Sequence, residues 1–518
     1  MTAGSMHDAA AAGNGAGNAA GWRPLRALLG GSIDVPDNVE IGDLTLDSRA
    51  VRRGAAFLAC RGRTRHGLEF APAAVAAGAR AVLWEPAPGV TAPRFDDSVL
   101  VVAVPGLSAQ AGFIADRFFG APSARLAVTG ITGTNGKTTC AWLLAAALSA
   151  CGRRCAYLGT LGCGLPDQVT AGTHTTPDAV TLQRQLAQLR DAGASAVAME
   201  VSSHALDQQR CAGVRFQIAA FTNLSRDHLD YHGDMTAYAA AKGALFDWPS
   251  LSARVINVDD PLGAELAVRM PTDGTLIVTG RRADPTLSAP GARYVRALQV
   301  TLEPGGLLLE LHSSWGSATL RSPLLGEFNA DNLLTVLAAL LAAGIELPVA
   351  CAALAACAAP PGRMQLAGGG RLPLAIVDYA HSPDALDKAL RAARAHCRGR
   401  LLCVFGCGGD RDRGKRAAMG RIAESLADAL YITDDNPRSE DPQRIVADIL
   451  GGLRAPQQAL VQHDRAAAIG MALAAAQADD VVLVAGKGHE DYQLIGSDRR
   501  AFSDMAQVQA ALRVRSAA

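Results

Sequence analysis

Apolar residues along this chain collect into short unbroken runs that end in polar or glycine-rich breaks, and these runs alternate with longer Ala/Leu-rich stretches. An unbroken apolar run of strand length marks a strand buried on both faces. Its alternation with helical stretches marks β–α–β units and a parallel sheet. From Trp22 to about Pro105, strands are predicted at Leu44-Thr-Leu46, Ala56–Ala59, Ala81-Val-Leu83 and Val99–Val104, with an Ala-rich helix near Ala71–Gly78. From Gly106 to Pro360 the pattern predicts strands at Leu126–Val128, Cys155–Thr160, Ala196–Glu200 and Ile218–Thr222, with helices over Cys140–Leu148 and Ala179–Ala192. Tyr294–Leu320 departs from this rhythm and reads as β-hairpin material around a Pro304-Gly-Gly turn. After Pro361 the alternation restarts, with strands at Leu374–Asp378, Leu401–Gly406, Ala429–Thr433 and Val481–Gly486. The expected fold class is α/β in three domains. A small N-terminal α/β domain spans 22–105, a central parallel-sheet domain 106–360, and a C-terminal Rossmann-like domain 361–518. Residues 1–21, rich in Ala, Gly and Asn, are expected to form a disordered tail.

Ligands of such sheets gather at the carboxyl ends of the strands, and the polar clusters of this chain fall there. The most specific is Val128-Thr-Gly-Ile-Thr-Gly-Thr-Asn-Gly-Lys-Thr-Thr139, which joins an apolar strand to an apolar helix. A glycine loop at that switch lets backbone N–H groups approach a polyphosphate, and the helix N-terminus adds partial positive charge. Lys137 is placed to reach the outer phosphates and Thr138 to hold Mg²⁺. The spacing is not the plain Walker pattern, because Ile131 stands where the first glycine is expected. Glu200 ends an apolar strand, where a carboxylate suits a hard cation or pairs with a nearby arginine. His228, within Asp227-His-Leu-Asp230, is a further candidate ligand. The later strands are followed by Asp378-Tyr-Ala-His-Ser-Pro383, Gly406–Arg416, Asp434-Asp-Asn-Pro-Arg438 and Gly486-Lys-Gly-His-Glu490.

Composition narrows the partners. Lysine plus arginine equals aspartate plus glutamate at 49 each, so no basic field favours nucleic acid, and a small-molecule substrate is expected. The 11 cysteines are scattered without a CxxC pair, which suits a reducing cytoplasm. The N-terminus lacks the basic and apolar regions of a signal peptide. The apolar run Leu333–Ala359 is interrupted by Glu346 and Pro348 and is expected to form buried helices, not a membrane span.

Taken together, Gly133-Thr-Asn-Gly-Lys-Thr-Thr139, Met199-Glu-Val-Ser-Ser-His204, Phe221-Thr-Asn-Leu-Ser-Arg-Asp-His-Leu-Asp-Tyr-His232 and Ala240-Ala-Lys242 resemble the Mur ligase family. The resemblance runs from Leu44 to about Leu512. Asp435-Asn-Pro-Arg438 and Gly486–Gln493 are similar to those members that add meso-diaminopimelate to UDP-N-acetylmuramoyl-L-alanyl-D-glutamate. It implies a UDP-sugar domain, a central P-loop ATPase domain and a domain for the incoming amino acid. It also implies ATP-driven peptide-bond formation through an acyl phosphate, in a cytoplasmic monomer without membrane insertion.

The same resemblance implies the site residues. ATP falls to Gly133, Thr134, Asn135, Gly136, Lys137, Thr138 and Thr139, with Asn329 and Asn332 of Gly326-Glu-Phe-Asn-Ala-Asp-Asn332. Mg²⁺ falls to Thr138, Glu200, His228 and Lys242, the last as a CO₂-derived carbamate; by its pattern alone Lys242 is a surface helical lysine. The UDP-dipeptide falls to Leu46, Ser48, Arg63, Thr64, Arg65, His174, Thr175, Thr176, Ser202, Gln208 and Arg210, with His174 standing where the family commonly has asparagine. Diaminopimelate falls to Arg411, Asp435, Asn436, Pro437, Arg438, Gly486 and Glu490. It differs from lysine by a second carboxylate, which the planar fork of an arginine binds in bidentate fashion, and Arg438 supplies one.

Overall fold

The computed structural model describes residues 21–517 except Ser32, Arg63, Thr173, 272–274, 285–288 and Pro304. The tail expected at the N-terminus, up to residue 20, and the candidate Arg63 therefore lie outside the described residues. Contacts divide the chain into two compact units. One contains residues up to Arg125 with Pro177–Arg190 and Asp207–Val214; the other contains Leu126–Thr176, Asp191–Leu206 and Arg215–Ala518.

The first unit is built on a four-stranded parallel sheet, β1 (Asp43–Thr45), β2 (Ala55–Ala59), β3 (Ala81–Trp84) and β4 (Leu100–Ala103), in that order. A helix that the apolar pattern did not single out, α1 (Leu107–Phe118), follows β4. Its Leu107, Ala111, Ile114, Ala115 and Phe118 pack with Leu44, Ala56, Leu58 and Leu83, so it covers one face of this sheet. Contacts thus group the helix with the first sheet, past the sequence-based division at Gly106.

The second unit carries two sheets. The first contains β5 (Ala127–Thr132), β6 (Cys155–Gly159), β7 (Gly162–Gly164), β8 (Ala196–Glu200), β9 (Phe216–Phe221), β10 (Ala253–Asn257), β11 (Leu276–Gly280), β12 (Arg293–Glu303), β13 (Gly306–Ser313) and β14 (Gly316–Ser322). Its order is β14-β13-β12-β11-β10-β9-β5-β8-β6-β7. Strands β6 to β12 in that order pair in parallel, while the β12–β13–β14 meander and the β6–β7 hairpin are antiparallel. The apolar runs α2 (Lys137–Ala150), α3 (Phe328–Ala342) and α4 (Leu347–Ala355) form a shared core against this sheet. The run interrupted by Glu346 and Pro348 is therefore two buried helices, and no described helix is long and apolar enough to cross a membrane. All 11 cysteines are free thiols.

The second sheet contains β15 (Gln365–Gly368), β16 (Leu374–Asp378), β17 (Leu401–Phe405), β18 (Ala429–Ile432), β19 (Leu460–Val461) and β20 (Val481–Ala485) in the order β15-β16-β20-β17-β18-β19. It is parallel except for the edge strand β15. Apolar cores on both faces explain why its central strands are unbroken apolar runs. The fold class is α/β, as the apolar periodicity predicts.

Candidate active site

Strand β5 is central, flanked by β8 and β9, and its carboxyl end opens into the Gly133–Gly136 loop ahead of α2. Gly133 (φ +149°) and Gly136 (φ +86°) carry backbone geometry that L side chains rarely adopt. A Cβ on Gly133 would lie 1.9 Å from Thr222 Oγ1, and one on Gly136 would lie 2.3 Å from Asn332 Oδ1. These glycines therefore let the loop be sandwiched between the β9 loop and α3. Thr222 Oγ1 and Asn223 Nδ2 donate to Asn135 O at 2.6 and 3.1 Å, and Asn135 N donates to Asn223 Oδ1 at 3.0 Å. Thr134 N donates to Asn223 O at 2.8 Å.

On the α3 side, Asn332 Nδ2 donates to Asn329 Oδ1 at 2.8 Å, and Asn329 Nδ2 donates to Leu325 O at 2.7 Å. Both amides are buried. They do more than cap a helix, since Asn332 rests directly against Gly136.

Lys137 Nζ donates to Gly133 O and Thr134 O, both at 2.9 Å. Thr138 Oγ1 donates to Glu200 Oε2 at 2.9 Å. Glu200 is fully buried and also accepts from Thr160 N at 2.8 Å, Thr160 Oγ1 at 3.2 Å and the Tyr157 hydroxyl. The carboxylate therefore meets three hydroxyls and a backbone amide, not the arginine that was its alternative partner. Burial, with the adjacent Glu200 charge, pushes the Tyr157 hydroxyl well above its ordinary value, so it stays a proton donor.

Lys242, on helix α5 (Met235–Gly243), is 1% exposed. The surface position that its sequence pattern suggests is corrected by the packing. Its Nζ donates to Gly133 O at 2.8 Å and lies 4.4 Å from the Tyr238 ring centroid. Burial, with repulsion from Lys137, pulls its pKa from 10.5 to about 6. Tyr238 is the hub of this flank, with its hydroxyl 3.1 Å from Thr134 Oγ1 and the His228 ring edge-on at 6.2 Å. His228 is exposed, has φ +52°, and faces Asp227 with Nε2 at 3.4 Å from Oδ2. No group of three or more His, Cys, Asp or Glu side chains able to hold a metal ion occurs among the described residues. Of the four residues expected to hold Mg²⁺, Thr138 and Glu200 touch each other directly, while His228 meets Tyr238 and Lys242 meets Tyr238 and Gly133 O.

Thr175 and Thr176 close around the end of β8. Thr175 Oγ1 lies 3.0 Å from Thr160 Oγ1, and Thr176 Oγ1 donates to Glu200 O at 2.8 Å and accepts from Ser202 N at 3.1 Å. His174 is exposed beside them, and Thr139 lies in the first turn of α2. In the other unit, Ser48 opens a short helical turn after Leu46. Arg65 is held by Glu69 at 2.8 Å and lies over Phe70, next to the exposed Thr64. Arg210 Nε donates to Gln208 Oε1 at 2.9 Å.

The second sheet brings the two remaining motifs together. Lys487, fully buried, donates to Asn436 Oδ1 at 3.0 Å and Glu490 Oε2 at 2.9 Å, and Asp435 lies 3.7 Å away. Asn436 Nδ2 also donates to Glu490 Oε2 at 2.9 Å. Burial pushes the Asp435 carboxyl up against the opposing pull of Arg465 and Lys487. Gly486 N donates to Asp378 O at 3.1 Å. Arg438 follows the buried Pro437 at φ +53°; its backbone pairs with Leu494 O and Gly496 N at 3.1 and 2.8 Å. Its Nη1 donates to Gly409 O at 2.8 Å, beside Gly408 and the exposed Arg411. Sequence reasoning did not single out Tyr157, Thr160, Tyr238 or Lys487. Lys487 lies inside a quoted motif, whereas Tyr157 looks like any apolar strand residue.

Three family models match this chain: the Mur ligase middle domain over residues 131–340, the Mur ligase glutamate ligase domain over 362–488, and the Mur ligase family catalytic domain over 40–108. The chain belongs to the Mur ligase family. This Mur ligase is 50% identical over 489 residues to a protein of Ectopseudomonas mendocina (strain ymp) named UDP-N-acetylmuramoyl-L-alanyl-D-glutamate–2,6-diaminopimelate ligase, covering 94% of this chain and 98% of that one. A protein of the same name from Alkalilimnicola ehrlichii is 50% identical over 498 residues, with the same coverage of both chains. A solved structure of an enzyme with that name superposes on this Mur ligase with a TM-score of 0.70 at 36% identity, covering 96% of this chain and 99% of the other. The N-terminal, central and C-terminal architecture expected from the motifs is that of the family.

Proposed function

We propose that this Mur ligase joins meso-diaminopimelate to the D-glutamyl γ-carboxylate of UDP-N-acetylmuramoyl-L-alanyl-D-glutamate, converting ATP to ADP and phosphate, as a monomer in the cytoplasmic phase of peptidoglycan synthesis. The observation that carries this reading is the 50% identity, along 94% of the chain, to relatives named for that ligation. Residues 22–105 would take the sugar nucleotide, 106–360 the ATP and 361–518 the amino acid.

A carboxylate is a poor acyl donor because its leaving group would be an oxide. Attack of its oxygen on the γ-phosphorus forms a new O–P bond, breaks the bond to the β-bridging oxygen and releases ADP. The amine of diaminopimelate then attacks the acyl carbon, the C–O bond to phosphate breaks, and the ammonium proton is lost. The protein's task is positioning and charge neutralisation. The Gly133–Thr139 loop supplies backbone donors, Lys137 the cation for the outer phosphates, and Asn329 with Asn332 the support beneath the loop. Thr138 and Glu200, 2.9 Å apart, are oxygen ligands of the kind Mg²⁺ prefers, and the ion when bound neutralises phosphate charge. With its pKa near 6, Lys242 is a neutral amine at cytoplasmic pH, the form that adds CO₂. The resulting carbamate would attract a second cation where the ammonium repels it, with His228 nearby. Leu46, Ser48, Arg65, Thr175, Thr176, Ser202, Gln208 and Arg210 serve the UDP-dipeptide. Arg438 serves the distal carboxylate of diaminopimelate, with Asn436, Arg411 and Glu490 around it.

The deciding assay is phosphate release. It should require both the UDP-dipeptide and diaminopimelate, and Lys137→Ala should abolish it. Equal turnover with lysine in place of diaminopimelate would sink the specificity; release independent of either substrate would sink the ligation.

A further inference from the structure

A buried histidine links the second sheet's domain to the segment that leads into the helix beneath the phosphate loop. His396 ends α6 (Pro383–Ala395) and is 5% exposed. Its Nδ1 lies 2.5 Å from Glu303 O at the end of β12, and its Nε2 lies 3.0 Å from Gly326 N. A carbonyl only accepts and an amide N–H only donates. Nδ1 therefore carries the proton while Nε2 accepts, which makes this a neutral imidazole in one tautomer. Burial, which lowers its pKa, favours the same neutral form.

The contacts continue toward the nucleotide loop. Leu325, next to Gly326, is fully buried in one core with Leu386, Leu390 and Ala393 of α6. Gly326 O accepts from Asn329 N at 2.9 Å, and Leu325 O accepts from Asn329 Nδ2 at 2.7 Å. Asn329 in turn holds Asn332, whose Oδ1 lies under Gly136. Every link from α6 to the phosphate loop is a hydrogen bond between buried groups or a packed contact. A displaced Gly326 would move the first turn of α3 and both amides with it.

We propose that His396 is a positioning residue for nucleotide binding: it fastens Leu325–Gly326 to the C-terminal domain and so holds Asn329 and Asn332 against Gly136. The inference rests on the reading of Gly133–Thr139 as the nucleotide loop. It goes beyond that reading by assigning part of the nucleotide affinity to a residue on another domain, outside every motif.

The test uses the full-length protein with two substitutions. His396→Leu keeps an apolar body and loses both hydrogen bonds. His396→Gln keeps an N–H and a carbonyl oxygen at a separation close to that of the two ring nitrogens. Binding of Mg·ADP is measured by calorimetry, alongside kcat, the KM for ATP, the KM for diaminopimelate and Tm. His396→Leu should weaken ADP binding and raise the KM for ATP by about tenfold, the scale of one buried hydrogen bond. The KM for diaminopimelate should stay unchanged, and His396→Gln should restore most of the loss. ADP binding by His396→Leu equal to that of the unsubstituted protein would overturn the proposal. So would a parallel loss in both KM values and Tm that glutamine does not repair. If the unsubstituted protein itself failed to bind ADP, the nucleotide reading of the loop would fall first.

Discussion

Lys242 and Lys137 donate to the same oxygen: their Nζ atoms lie 2.8 and 2.9 Å from Gly133 O. Two amines converging on one carbonyl, out of water, disfavour a second positive charge. Burial is the larger cause and the Lys137 charge the next, and together they bring Lys242 to about pH 6. Burial lowers Lys137 as well, with the nearby Glu200 and Asp227 charges opposing it, whereas repulsion from Lys137 adds to the burial that lowers Lys242.

The shift has a signature in stability. Lys242 titrates at about 6 in the folded chain against 10.5 as an ordinary lysine. Between those values the unfolded chain binds a proton that the native state does not, so stability rises with pH across that window, and the cost of the buried lysine is greatest below pH 6. Lys242→Met should therefore raise Tm at pH 6 and lose that advantage steadily toward pH 9. A Tm difference that stays flat over this range would mean that the lysine is not perturbed.

If the neutral amine is converted to a carbamate, activity should fall in CO₂-depleted buffer and return with bicarbonate. Lys242→Ala should be inactive and partly rescued by formate or acetate, which restore a carboxylate at that place. Initial rates that ignore both additions would rule the carbamate out.

Arg438 sits at φ +53°, held by backbone bonds to Leu494 and Gly496, with its guanidinium against Gly409. Hydrogen bonds to a charged group contribute about 1.5–3 kcal/mol, so Arg438→Ala should raise the KM for diaminopimelate roughly tenfold to a hundredfold while leaving that for ATP alone. Arg438→Lys should not restore it, because an ammonium cannot form the planar fork. An unchanged KM for diaminopimelate would refute the bidentate reading.

Arg465 and Asp504 form an ion pair at 2.7 Å in which both side chains are fully buried. Arg465 also donates to Ala485 O at 3.0 Å, so the pair ties the start of α7 (Arg465–Ala475) to the end of β20 and to the last helix. Asp504→Ala leaves a buried guanidinium without its counter-charge and should destabilise the C-terminal domain by about 3–5 kcal/mol. Urea unfolding followed by fluorescence would check this, and an unshifted midpoint would contradict it.

What the sequence by itself determined is whatever depends on short stretches of chain. Unbroken apolar runs placed the parallel strands, because a strand covered on both faces has no polar side to display. The Gly133–Gly136 turn between strand and helix was legible because strand, glycines, lysine and helix are contiguous, and the Asp435–Arg438 loop because its residues are contiguous too. Only the tertiary structure decided which isolated polar side chains are buried and what they meet. Tyr238-Ala-Ala-Ala-Lys242 has the local pattern of a solvent-facing helical turn, yet packing against Gly133 buries the lysine and moves its pKa. Tyr157 is an ordinary strand residue until β6 and β8 pair and set its hydroxyl on Glu200. His396 carries no motif, and its two hydrogen-bond partners, Glu303 and Gly326, are 93 and 70 residues away along the chain. Local pattern records how a segment folds on itself. The electrostatic character of a side chain depends on which distant segments exclude water from it.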